Sequence, residues 1–200
     1  MINNDKFKFN SSTDKSFLKG EISMVEATRQ KILNAYRHLA VHHGIKGATT
    51  AKIAELAGVS EVTLFRYFKD KKALMLTTVQ EGRDDFLKFK QASLYSEDLM
   101  TDLLNIAKYY IEFSTSHQDI LVLYDDTKDP NCDLAIATLD LINQFKAFII
   151  ETCEHYQDKA YFKDHEQIEW VANNLIWISL GMTDNGRFDL KYQDPDFYYQ

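Results

Sequence analysis

The sequence predicts an all-α protein: an N-terminal three-helix head containing a helix-turn-helix, then a larger helical body. Three observations predict it. Apolar residues recur at helical spacing, and no alternating run bounded by turn residues marks a strand. The 200 residues include only 7 Gly and 2 Pro, too few for a turn-dense sandwich or barrel. Hydrophobic residues make up 45% of the chain, enough to bury a core and exclude wholesale disorder. The expected division is a flexible arm at 1–22, a head at 23–70 and a body at 71–200.

The arm mixes Asn, Ser, Asp and Lys without helical periodicity. Ser23-Met-Val-Glu26 has the pattern of a capping box, so the first helix is expected to start there. Val25, Ile32, Leu33, Tyr36, Leu39 and Ala40 give its inner face, and Gly44 its end. Thr50 is the expected N-cap of a short second helix with Ile53, Ala54 and Ala57 inward, stopped by Gly58. Ser60 caps a third helix over 61–67, with Leu64 and Phe68 one turn apart, and Asp70 caps a fourth. Further helices are expected near 71–92, 97–116, 118–125, 130–157 and 165–184. Asp129-Pro130 reads as N-cap and first helical residue, and Asp164 to Gln167 as a box-like start. Residues 186–200 read as an extended tail.

Charge divides the chain. Residues 24–76 hold nine Lys and Arg against four acids, whereas 77–200 hold ten against twenty-three, within a net charge of -7. A basic block on an acidic body suggests a polyanion-binding end. Two Cys, Cys132 and Cys153, cannot make a disulfide framework and fit a reducing compartment. They lie 21 apart on one expected helix, too far to bridge at ~1.5 Å rise per residue. No apolar run approaches the ~18 residues of a membrane span, and the N-terminus lacks a signal-peptide core. The expectation is a cytoplasmic protein with no membrane partner.

The stretch from Thr50 to Phe68 carries the most information. Two short helices separated by Ala57-Gly58-Val59-Ser60 have the spacing of a helix-turn-helix. Gly58 suits a turn conformation costly to residues with a Cβ. Ala54 is small enough for a close crossing, and Val59 fills the angle. In this motif the second helix enters the major groove N-terminus first.

Residues 29–74 resemble the DNA-binding domain of the TetR/AcrR family of bacterial transcriptional regulators. The resemblance rests on Arg29, Ile32, Leu33, Ala35, Gly44, Thr49-Thr50, Ile53-Ala54, Ala57 to Ser60, Thr63 to Phe68, Lys71 and Leu74. It implies that Thr50 binds phosphate at the start of the second helix, beside Ser60 at the start of the third. Glu61, Val62 and Thr63 would meet base edges or adjacent backbone. Phe65, Arg66 and Tyr67 would line the groove wall, and Lys71 would hold a phosphate. Lys46, Lys52, Lys69 and Lys72 are candidate added phosphate contacts. Two departures stand out: Phe65 replaces a frequent Tyr, and Glu61 stands where a basic or amide residue is usual. Glu61 is expected either to accept from cytosine N4 or to pair with Arg66 and orient it.

The resemblance also implies a ligand-binding and dimerisation region after the head. Among Phe86, Phe89, Tyr109, Tyr110, Phe113, Tyr124, Phe145 and Trp177, the pocket candidates are Tyr110, Phe113 and Trp177. Stripes at helical spacing suggest a dimer interface with Leu141, Phe148, Trp170 and Ile178. His38, His42, His43 and the acidic loop Asp125, Asp126, Asp129, Asp133 read as helix-end and solvated groups, so no metal and no cofactor is expected. The sequence-level reading is a homodimeric repressor of a (pseudo)palindromic double-stranded DNA operator, released by an unknown small-molecule effector. The alternatives are a regulator governed by a protein partner, or an α-helical enzyme. No nucleophile–base pattern, phosphate-cradling loop or zinc-spaced cluster supports the last.

Overall fold

The computed structural model describes residues 13–126, 129–156 and 161–183; the tail at 186–200 and the first twelve residues of the arm lie outside them. Eight helices run in order among the described residues: α1 (Thr13–Gly47), α2 (Thr50–Ala57), α3 (Glu61–Tyr67), α4 (Lys71–Ala92), α5 (Leu99–Ser116), α6 (Gln118–Asp126), α7 (Asp133–His155) and α8 (His165–Thr183). No strand occurs among them.

The helix starts correct three expectations. α1 begins by Thr13, so Ser23 is not its N-cap and 13–22 is helix rather than flexible arm. Val25, expected inward, is exposed. The cap of α2 is Thr49, whose hydroxyl accepts from Lys52 N–H at 3.4 Å; Thr50 is the first helical residue. α7 starts three residues late, because Asp129 is used in a turn: its carboxylate accepts from Asn131 N–H at 3.0 Å, and the Cys132 thiol caps the helix instead. The other signals hold. Backbone leaves the helix at Gly44 (φ 67°, ψ 172°), and Ser60, Asp70 and Asp164 accept from the amides of Thr63, Ala73 and Gln167.

Two cores form. The head buries Ile32, Leu33, Tyr36, Ile53, Leu64 and Leu74 completely. The body is organised around Phe145, whose ring lies 4.2 Å from Phe86, 4.8 Å from Tyr110 and 5.0 Å from Phe113. Aromatic pairs of this kind add to area burial through ring quadrupoles. Leu141 and Phe148, expected at a subunit interface, are interior residues of this core, 1% and 4% exposed. α7 is sandwiched by α4, α6 and α8, so its apolar stripe has no free face there.

Head and body meet along α1, α4 and α6. Glu81 on α4 accepts from Arg29 at 2.9 Å, Gln30 at 3.0 Å and Arg37 at 2.6 Å, all on α1. Within the body, α4 packs closely on α5 and α6 at Gly82, where a Cβ would lie 2.6 Å from Ile120 Cδ1 and 3.2 Å from Phe113 Cζ. Among the described residues no helix is long and apolar enough to cross a membrane.

Candidate nucleic-acid interface

The interface is built from the turn outward. Gly58 adopts a left-handed conformation (φ 70°, ψ 33°), and its N–H closes the end of α2 on the carbonyls of Ala54 and Glu55. Nothing lies within 4 Å of where its Cβ would be, so backbone conformation rather than crowding favours glycine. Val59 N–H then bonds Ala54 carbonyl at 2.9 Å, and the half-buried Val59 side chain packs on the head core. Ser60 turns the chain into α3: its hydroxyl accepts from Thr63 N–H at 3.1 Å and pairs with the Thr63 hydroxyl at 2.9 Å.

This start fixes which face of α3 points outward. Leu64 is fully buried, and Phe68 just beyond the helix is 4% exposed. The opposite face presents Glu61, Val62, Phe65 and Arg66, with Val62 80% exposed and Phe65 46%. Large apolar groups left in water on a short helix that also carries Arg mark a contact surface. Thr63 and Tyr67 are half-buried at its margins. The Arg66 guanidinium sits 5.6 Å from the centre of the Tyr67 ring, a cation–π placement that restrains it.

Of the two roles expected of Glu61, pairing with Arg66 is not the contact formed. Its carboxylate accepts from the Thr50 hydroxyl at 2.8 Å, joining the first residues of α2 and α3. Arg66 lies over Tyr67 instead. Lys46, Lys52 and Lys69 are exposed around this surface. The two lysines at the start of α4 are engaged. The Lys71 ammonium donates to the Ile45 carbonyl, tying α4 to the turn after Gly44, and burial holds its value below the usual lysine range. Lys72 pairs with Asp133, which raises its own value.

The pocket candidates separate. Tyr110 and Phe113 meet in the body core, where burial pushes the Tyr110 phenol well up, whereas Trp177 is 68% exposed on α8. Trp177 shares that surface with Trp170 (67% exposed) and Ile178 (51%). Sequence reasoning missed the Glu81 clamp, whose partners lie 44 to 52 residues away, beyond any local signal. Among the described residues no group of three or more His, Cys, Asp or Glu is placed to hold a metal ion; His42 Nδ1 contacts the His38 carbonyl at 2.7 Å.

Comparison with known proteins agrees with this geometry. Residues 32–78 match the family model of bacterial regulatory proteins, tetR family. An HTH-type transcriptional regulator of Bacillus subtilis strain 168, YvkB, is 36% identical over 97 residues, 47% of this chain and 49% of the relative. The match thus spans about half the length of that relative. Among solved structures, FadR of Bacillus subtilis in complex with stearoyl-CoA superimposes with a TM-score of 0.66 at 14% identity, covering 82% of this chain and 89% of that one. AibR in complex with isovaleryl coenzyme A and operator DNA gives 0.64 at 16% identity, covering 80% and 90%. At such identities these two speak for the fold. Residues 32–78 thus match the DNA-binding head of the tetR family of bacterial regulatory proteins, set on a helical body that shares the fold of these two structures.

Proposed function

We propose that the chain is a DNA-binding transcriptional repressor that acts as a homodimer in the cytoplasm and leaves its operator when a small molecule binds the body. The observation that carries this reading is the outward face of α3. Val62, Phe65 and Arg66 stand in water on a helix whose other face sends Leu64 into the core. The head at 23–70 would read DNA and 71–200 would bind effector and partner subunit. Ser60, Glu61, Val62, Thr63, Phe65, Arg66 and Tyr67 would meet the groove. Thr50, Lys46 and Lys52 would meet phosphates, joined by Lys71 where its ammonium has donors to spare.

A helix of seven residues reads too little sequence alone, so two copies on a two-fold site are needed. The exposed Trp170, Trp177 and Ile178 on α8 favour that face as the seam between copies. An effector would act through its different affinity for dimer forms whose recognition helices do or do not match the half-site spacing.

Selection of bound sequences from random duplexes at several salt concentrations tests this. The expected product is a palindromic site bound by two chains. Arg66→Ala should cost about 1–3 kcal/mol and relax one position, whereas Lys52→Ala should weaken all sequences alike and lower the salt slope by about 1. Absence of any sequence preference would overturn the reading.

A further inference from the structure

We propose that the effector site is the open cleft between the C-terminal half of α4 and one face of α5, and that it takes a lipophilic organic cation. This rests on the reading of the chain as an effector-controlled regulator. The cleft has a volume of about 490 Å³ and is floored by Phe148 of α7. That lies within the ~300–1,000 Å³ of small-molecule sites. Tyr110, Phe113 and Phe145 pack together in the interior of the body.

The walls are aromatic. Phe89 and Tyr109 stack on each other in the lining, ring centres 3.7 Å apart and planes 4° from parallel, so a ligand meets their outer faces and edges. Such rings present negative faces to a cation. The Phe148 ring already attracts one cation beside the cleft: Lys90 Nζ lies 5.2 Å from its centre, with Glu151 at 2.5 Å as counter-charge.

The charged groups of the lining are Asp102, Glu112 and Lys108, two carboxylates against one ammonium. Asp102 matters most. It is 6% exposed, and its carboxylate accepts from Ser96 N–H at 3.1 Å and from the Tyr156 hydroxyl at 2.6 Å. Both donors are neutral, so the carboxylate is hydrogen-bonded without a counter-ion from them. A buried carboxylate in that state gains from a cation brought into contact with it. The field at the Tyr109 phenol has the same sign: burial, then Asp85 and Glu112, push it up to about 12. A phosphate-bearing anion, such as the coenzyme A thioesters bound by FadR and AibR, would set its charges against Asp102 and Glu112.

The test is calorimetric titration of the full chain with tetraphenylphosphonium, its neutral relative triphenylphosphine oxide, and stearoyl-CoA. The cation should bind at least about tenfold tighter than the neutral compound. Asp102→Asn should erase most of that preference. Glu112→Gln, at an exposed position that folding tolerates, should reduce it, and Phe89→Ala should weaken both ligands. Equal binding of cation and neutral compound, tighter binding of stearoyl-CoA, or a preference unchanged in both carboxylate variants would overturn the proposal. Operator binding, measured separately without ligand, decides the regulator reading. An operator-binding protein indifferent to the cation loses only the ligand assignment. A cation-binding protein with no operator keeps the cleft and loses the function.

Discussion

The head and the body use the same element and hold it in different ways. α2 and α3 are eight and seven residues long, below the length at which an isolated helix is stable. Each helix start from α2 to α4 has a side-chain cap, Thr49, Ser60 or Asp70, and the shared core behind them is aliphatic apart from Tyr36 and Phe68. The helices of the body, α6 excepted, run 18 to 23 residues and converge on stacked and edge-on aromatic rings. Local chemistry therefore shapes the head, and long-range side-chain fit shapes the body. Between them lies a clamp of charges centred on Glu81.

The sharpest way to break this comparison is to cut both cores. Phe145→Ala removes the ring at the centre of the body cluster and should cost about 3–5 kcal/mol. Leu64→Ala removes the only fully buried side chain of α3 and should cost about 2–5 kcal/mol. Urea unfolding measures both. The two should differ in a second measurement: folded Phe145→Ala keeps operator affinity, whereas Leu64→Ala loses it because α3 no longer has one orientation. Equal loss of affinity would mean that the head has no integrity of its own.

The clamp gives a smaller effect with a distinct pH signature. Glu81 is partly buried, which opposes its charge, but hydrogen bonds from Arg37, Arg29 and Gln30 outweigh this and hold it below the usual carboxylate range. Its stabilisation is complete above the ordinary Glu value and is lost as pH falls through the lower folded value. Asp119, 1% exposed at the start of α6, shows the reverse: burial raises it, and Arg37 Nε, 3.9 Å away, only partly compensates. A raised acid loses stability progressively as pH climbs from its ordinary value to its folded one, and regains it on acidification. Glu81→Gln should cost about 1–3 kcal/mol at pH 7 and little at low pH. Asp119→Asn should stabilise at pH 7 and lose that advantage as pH falls. Stability measured against pH for both variants checks the two signs together.

Legibility in the sequence follows the same division. Gly58, Ser60 and Asp70 were readable because a turn or cap is specified within four residues, and the inward set Ile53, Leu64 and Phe68 followed from period alone. The outward face of α3 was readable as the remainder. The faces of the body helices were not. A stripe such as Leu141 and Phe148 has the same period whether it meets its own chain or a second one, and only the placement of α4 and α8 decides. Trp177 could equally have lined a pocket until α8 turned it outward. Thr50 and Glu61 are eleven apart, so their bond needed the angle at Gly58 before it could be seen.

The smallest expected effect compares two caps. Ser60 and Cys132 occupy the same position on α3 and α7, accepting from the amide three residues on at 3.1 Å and 3.4 Å. Sulfur is the weaker acceptor. α7 is also secured along its length by the body core, whereas α3 has two turns and one fully buried residue. Ser60→Ala should therefore cost about 1 kcal/mol. Cys132→Ala should cost less, and only Ser60→Ala should weaken operator binding, since the lost cap sits at the end of the helix that meets DNA. Equal costs for the two substitutions would mean that local caps matter no more to the head than to the body, and the contrast between the regions would reduce to the size of their cores.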